Sequence, residues 1–149
     1  MAEQTETYEH VMTPEAIDGF VRDHFPAAHG FSRTLRVGEG RCRIRLQEPG
    51  EMHLRPGNTV SGPTLMTLAD TAAYFCILSL IGPVALTVTT NLHIDFFRKP
   101  ELGRIEAEAR MLKLGKRLAV TAVELFADDA LVANASVTYS IPPPEHRGG

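Results

Sequence analysis

Nineteen residues near the middle of the chain, Pro63 to Ile81 (PTLMTLADTAAYFCILSLI), carry a single charge, Asp70. Wound as a helix, this run is apolar around nearly its whole circumference. A surface helix shows one apolar stripe, so a helix of this kind has to be enclosed. Its length alone would also permit it to span a bilayer. A carboxylate at mid-bilayer costs about 2.5–3.5 kcal/mol, however. The rest of the chain reads as soluble strands with no second span. The run is therefore read as a buried helix, ended by Gly82 and Pro83, and no membrane partner is expected.

The flanking segments say what encloses it. TPEAIDGFVRDHFP reads as a short amphipathic helix: Thr13 caps it, Pro14 suits its first position, and Ile17, Phe20, Val21 and His24 recur at helical spacing. Residues 32–46 alternate with period two, Leu35, Val37, Cys42, Ile44 and Leu46 against arginines, and read as a strand bent or interrupted at Gly38 and Gly40. Residues 47–60, rich in Pro and Gly, are loop. After the long helix, four strands joined by tight turns are expected over 86–97, 104–114, 116–127 and 131–141. The economical arrangement is α+β: one curved antiparallel sheet of about five strands wrapped around one long central helix, plus a short N-terminal helix. Its edge strands need cover, which pairing with a second copy would supply. The 149 residues read as a single domain, with 1–12 and 142–149 as flexible tails.

Bulk properties exclude several function classes. The formal net charge of −3 and the lack of a basic run argue against nucleic acid as a partner. Cys42 and Cys76 stand far apart with no CxxC spacing, so reduced, buried thiols and a cytoplasmic location are expected. The acidic N-terminus lacks the pattern of a secretory signal. The six histidines show no metal-ligand spacing. His93 reads as an interface or solvent histidine. No metal or cofactor is expected.

Asp70 is the most informative residue. A charged group is rarely buried without a partner, and no Lys or Arg lies within a helical turn of it. It could face a groove, pair with a distant Arg, bond Thr67 or Thr71, or do chemistry. The start of the same helix adds a second feature. Ser61 is a cap candidate and Pro63 fits the first turn. The Gly62 amide then sits at a helix N-terminus, where about half an elementary positive charge favours an oxygen gaining negative charge. Eight residues separate the two, about 12 Å of helix. One chain therefore does not readily supply both to one site, whereas a two-fold dimer with facing helices can.

SGPTLMTLADTA, followed by LTVTTNLHIDFFRKP and LGKRLAVTAVELF, resembles the hotdog-fold acyl-CoA thioesterases of the PaaI-like group, over residues 37–141. The resemblance implies that Asp70 is the catalytic acid, acting as base or nucleophile, and that the Gly62 amide of a partner subunit polarises the thioester carbonyl. Ser61 stands where that family carries His, and Pro63 where it carries a second Gly. Arg55 stands where many members have Asn, with Asn58 nearby but out of register. Thr89 or Thr90 matches a hydroxyl that assists the water, Thr89 slightly better. The substrate is then an acyl- or aryl-coenzyme A, with coenzyme A part of the substrate and no separate cofactor. Pro63, Leu65 and Met66 would line the pocket. Arg98, Lys99, Lys113, Lys116 and Arg117 would meet the phosphates. A homodimer, or a homotetramer built from two, is expected. The alternative is a non-catalytic acyl-CoA-binding hotdog protein, motivated by the missing His. A hotdog dehydratase would need His24 or His53 beside Asp70.

Overall fold

The computed structural model describes residues 7–147. Helix α1 (Pro14–His24) is capped by Thr13, whose Oγ1 accepts the Ala16 N–H at 3.1 Å, and it buries Ile17, Phe20 and Val21. Strands β1 (Ser32–Gly38) and β2 (Arg41–Leu46) follow, then the two-residue strands β3 (Leu54–Arg55) and β4 (Thr59–Val60). Helix α2 (Gly62–Ile81) comes next, then β5 (Val88–Phe96), β6 (Ile105–Leu114), β7 (Leu118–Ala127) and β8 (Ala130–Ser140). The main sheet is six-stranded, in the order β1-β2-β6-β7-β8-β5, and every pairing in it is antiparallel.

The count of about five strands becomes six because the interruption expected at Gly38 and Gly40 is a complete reversal. Glu39 (φ 54°) and Gly40 (φ 72°) form a two-residue hairpin loop between the paired Gly38 and Arg41. Gly40 is held for a second reason. A Cβ there would lie 2.7 Å from the Tyr8 ring.

All six strands touch α2. Six strands at the usual spacing would make a sheet roughly 24 Å wide, and a helix with its side chains is only about 10–12 Å across. The sheet can meet the helix with every strand only by curling around it. Small side chains allow the close approach: Ala107, Ala109 and Ala119 on the sheet and Ala69, Ala72 and Ala73 on α2 are fully buried. Leu65, Leu68, Ile77 and Leu78 fill the space around them. The lack of amphipathicity in the sequence of α2 is thus answered by enclosure within the protein.

Residues 8–12, expected as part of a flexible tail, are tied to this core; residues 1–6 lie outside the described residues. The Val11 N–H donates to the Ser79 carbonyl at 2.6 Å. His10 Nε2 accepts the Gly40 N–H at 2.9 Å, which leaves Nδ1 to donate to Ser79 Oγ at 2.9 Å. This pairing needs a neutral imidazole, and burial holds the His10 pKa below its ordinary value. At the other terminus a short turn, Pro144–His146, is followed by Arg147, whose Nε donates to the Pro142 carbonyl at 2.9 Å. Residues 148 and 149 lie outside the described residues.

The outer face of the sheet carries the arginines read from the period-two pattern. Arg43 and Arg45 reach Glu106 at 2.7 Å each, and Arg36, Arg41 and Arg43 reach Glu108. The Arg43 guanidinium also lies over the Phe126 ring. Burial pushes Glu106 up, but the hydrogen bonds and charges of Arg43 and Arg45 outweigh it and leave its carboxyl below the ordinary range.

Both groups make the fold acid-sensitive, and the signs agree. Glu106 has a depressed folded value, so its stabilisation is present above the unfolded value and lost as pH falls through the folded one. His10 must charge as pH falls below about 6.5, and charging breaks its bond from Gly40. Urea unfolding is expected to show stability falling as pH drops below the ordinary histidine value of about 6.5, and again in the carboxylate range. His10→Ala should be less stable at neutral pH and should lose the first step. A wild-type curve flat until the carboxylate range contradicts the His10 assignment.

Candidate active site

Asp70 sits half-buried in the middle of α2, on a stripe with Pro63, Met66, Thr67, Thr71 and Tyr74 that the sheet does not cover. Its Oδ1 accepts two short hydrogen bonds, from Thr89 Oγ1 at 2.7 Å and from the Tyr139 hydroxyl at 2.7 Å. The same phenol lies 3.0 Å from the Asp70 backbone carbonyl. Thr89 on β5 and Tyr139 on β8 are register partners, so the sheet itself brings the two hydroxyls to one oxygen. Tyr139 is 4 % exposed. Its ring stacks on Tyr74, with centroids 5.7 Å apart and planes inclined by 17°. Burial raises the Tyr139 pKa, and the nearby Asp70 carboxylate raises it further, so the phenol stays protonated. Burial also pushes Tyr74 up to about 12, and its hydroxyl donates to the Ala85 carbonyl at 3.0 Å.

The other partners weighed for Asp70 are engaged elsewhere. Thr67 and Thr71 donate to the carbonyls of Pro63 and Thr67, within their own helix. Among the described residues no Lys, Arg or His forms an ion pair with Asp70. The anion is satisfied on one oxygen by neutral donors. Thr90 bonds the Thr138 carbonyl at 3.3 Å rather than Asp70; the register shifts between Thr89 and Asn91, and such a bulge re-aims side chains.

Tyr139 is the site residue that sequence reasoning missed. A signal for it existed. In the inward series Ala133, Ala135, Val137, Tyr139, Ile141 it alone carries a polar atom, and a buried phenol needs a partner.

At the start of α2, Ser61 is the cap: its Oγ bonds Thr64 Oγ1 at 2.7 Å and accepts the Thr64 N–H at 3.3 Å. Gly62 is the first helical residue, so its N–H has no acceptor within the helix. It opens on a cavity of about 790 Å3 walled by Pro63, Leu65, Phe96, Arg55, Arg98 and Lys99, among others. Leu65 is buried and Met66 is 40 % exposed. Asn58 is not in that wall. It occupies the left-handed region (φ 56°) in the β3–β4 turn, and its carbonyl accepts from the Leu102 N–H. A second cavity of about 510 Å3 runs along α2, lined by Thr67, Thr71 and Tyr74, the helical neighbours of Asp70, and by Phe25, Phe31 and His53; Asp70 itself is not in its wall.

These pieces lie at opposite ends of β5. Asp70 is held by Thr89, near its start, whereas a Cβ on Gly62 would meet the Phe96 ring, at its end, at 3.4 Å. Seven residues of strand correspond to about 23 Å. Arg98 and Lys99 follow Phe96, while Lys113, Lys116 and Arg117 surround the β6–β7 turn, at the end of the sheet where Leu118 and Val88 both pair with Ser140. The structure does not bring the two basic groups together within one chain. Arg117 donates to the Ile141 carbonyl at 2.8 Å.

Neither candidate dehydratase histidine bonds Asp70. His24 Nδ1 lies 3.2 Å from the Phe20 carbonyl, and His53 Nδ1 accepts the Gly50 N–H at 2.9 Å. His93 is exposed and lies 3.1 Å from Asp95. Among the described residues no three His, Cys, Asp or Glu side chains converge to hold a metal ion.

Comparison with known proteins agrees with this fold. A sequence profile of the Thioesterase superfamily matches residues 57–134, from the β3–β4 turn through α2 into β8. A candidate thioesterase from a Silicibacter species is 41 % identical, with 93 % of this chain and 97 % of that one covered and a TM-score of 0.83. A mutant of the phenylacetic acid degradation protein PaaI from Thermus thermophilus is 26 % identical, over 78 % of this chain and 99 % of that one, with a TM-score of 0.64. Zebra fish thioesterase superfamily member 2 shares the fold at 22 % identity, over 89 % of this chain and 100 % of that one, with a TM-score of 0.74. A comparison with curated proteins found no match. With a long central helix gripped by one antiparallel sheet, and with more than half its length matched by the family profile, the chain belongs to the thioesterase superfamily and has the hotdog fold.

Proposed function

We propose that the protein hydrolyses acyl-coenzyme A thioesters at a site shared between two subunits, with Asp70 as the reacting carboxylate. One observation carries this reading: an anion on an otherwise apolar helix whose carboxylate receives two hydroxyl donors on one oxygen and no cation. Asp18 is also half-buried and cation-free, but Thr34 donates to both of its oxygens, whereas Oδ2 of Asp70 receives no protein donor among the described residues. An acid with a free oxygen and no cation, on the open stripe of the helix, is suited to take a proton from water or to attack a carbonyl.

In the proposed reaction the thioester carbonyl lies against the Gly62 amide. Water attacks the carbonyl carbon while Asp70 takes its proton; the C–S bond then breaks, and the sulfur leaves as the thiol with that proton. Direct attack by Asp70 would give an anhydride that water opens to the same products. The helix N-terminus stabilises the oxygen as charge builds on it.

A second subunit resolves the separation of the parts. β5 is an edge strand with most of its residues exposed. Antiparallel pairing of two copies of β5 about its middle, near Leu92 and His93, sets the start of each strand beside the end of the other. Asp70 and Thr89 of one subunit then meet the partner subunit's Gly62, with Arg55, Arg98 and Lys99 of the same partner at the mouth of its cavity. These cations suit the phosphates of coenzyme A. The aromatic cavity beside Thr67, Thr71 and Tyr74 suits the acyl group. One observation favours the second reading, a binder without turnover: Ser61, in the place of the family His, is committed to capping.

Thiol release from a panel of acyl-coenzyme A substrates is expected for wild type, with Asp70→Asn slower by about 10²–10⁴. Equal rates reject the assignment; stabilisation by the thioesters without turnover selects the binder. Replacing Arg98 and Lys99 by Ala should raise KM for coenzyme A thioesters and leave that for N-acetylcysteamine thioesters, which lack the phosphates, unchanged. Ser61→Ala should lower stability by about 1 kcal/mol through the lost cap, measured by urea unfolding, with little change in kcat. Sedimentation should find a dimer or larger; an active monomer contradicts the shared site.

A further inference from the structure

The two oxygens of Asp70 are not equivalent. Oδ1 accepts from Thr89 Oγ1 and from the Tyr139 hydroxyl, each at 2.7 Å, while no protein donor among the described residues reaches Oδ2. The Tyr139 phenol also lies 3.0 Å from the Asp70 carbonyl oxygen. Its one proton is therefore placed between the side chain and the main chain of the same residue, which fixes the carboxylate relative to the helix that bears it. We propose that Tyr139 is a positioning residue which, with Thr89, anchors Oδ1 so that Oδ2 is the oxygen that reacts. The inference rests on the hydrolytic reading above and names the atom and the device within it.

The chemistry of the surroundings limits Tyr139 to this role. The phenol is buried against the carboxylate, which keeps its proton on, so it donates and does not shuttle. Its ring is braced by the Tyr74 ring at 5.7 Å, and Tyr74 is tied through its own hydroxyl to Ala85, three residues before β5 begins. The anchor thus joins α2, β8 and the approach to β5. Thr89 and Tyr139 each have one hydrogen to give, and both can give it to Oδ1, whose lone pairs are then engaged. Oδ2 keeps its lone pairs for the substrate side. In the hydrolytic step it takes the proton of the attacking water, while Oδ1 retains its two donors throughout and the charge lost from Oδ2 passes to the departing sulfur before the proton follows.

The test compares wild type, Tyr139→Phe and Thr121→Val. Tyr139→Phe keeps the ring and its stacking but removes the donor. Its kcat should fall about ten- to a hundredfold, the rate equivalent of one hydrogen bond to a charged group, with KM nearly unchanged. Removing a donor disfavours the ionised form, so the acidic limb of its rate profile should move to higher pH. Thr121→Val removes a buried hydroxyl on the neighbouring strand β7, which donates to the Val137 carbonyl at 3.0 Å and lines neither cavity, so kcat and the limb should match wild type. A readout without turnover accompanies these: the carboxyl 13C resonance of Asp70, assigned with Asp70→Asn, should titrate at higher pH in Tyr139→Phe than in wild type. An active wild type with an unchanged Tyr139→Phe overturns the anchor and leaves the hydrolase standing. A wild type that turns over no thioester overturns the hydrolase, and an unmoved Asp70 resonance then overturns the anchor independently.

Discussion

A helix with no polar face has to be surrounded, and the rest of this molecule is arranged to surround α2. The sheet curls so that all six strands reach it, small residues let it approach closely, and the arm before α1 closes over its C-terminal half through Val11 and His10. Enclosure on the sheet side leaves one stripe of the helix open, from Pro63 through Asp70 to Tyr74. The same constraint that sets the fold therefore decides where chemistry can take place. Only on that stripe can a polar side chain in the body of this helix meet a ligand.

Asp70 could not sit on such a helix as a bare charge. The sheet supplies two hydroxyls from paired positions on neighbouring strands, Thr89 and Tyr139, and these neutral donors satisfy the carboxylate without quenching it as an arginine would. Contrast the outer face, where Glu106 and Glu108 are held by several arginines apiece. Two kinds of carboxylate thus occupy one small protein. Glu106 and Glu108 are neutralised by their arginines; Asp70 has no cation beside it and one oxygen without a protein donor among the described residues.

Much of this was legible in the sequence because period and composition report burial. The unbroken apolar run named α2, the alternation over 104–114 and 131–141 named β6 and β8, and Asp70 stood out as the single charge in its run. The Glu39–Gly40 reversal was legible only as an interruption, since the glycines that bend a strand also turn a hairpin. Tyr139 escaped because its partner lies 69 positions away, and no local pattern encodes which strand residue faces a given helix position. The basic residues look alike in sequence, but the antiparallel pairing sends Arg98 and Lys99 to one end of the sheet and Lys113, Lys116 and Arg117 to the other. Asn58 takes the left-handed backbone that the β3–β4 turn requires.

The central claim is that a working site takes its carboxylate from one chain and its oxyanion donor from another. Within one chain Asp70 and Gly62 are separated by about 12 Å of helix, too far for one carbonyl and one water to bridge. A crystal structure of the assembled protein with a non-hydrolysable acyl-coenzyme A analogue measures this directly. The account predicts the analogue's carbonyl oxygen within hydrogen-bonding distance of the partner subunit's Gly62 amide and its carbonyl carbon facing Oδ2 of Asp70. An analogue bound wholly within one chain, or one whose carbonyl lies away from Asp70, would contradict it.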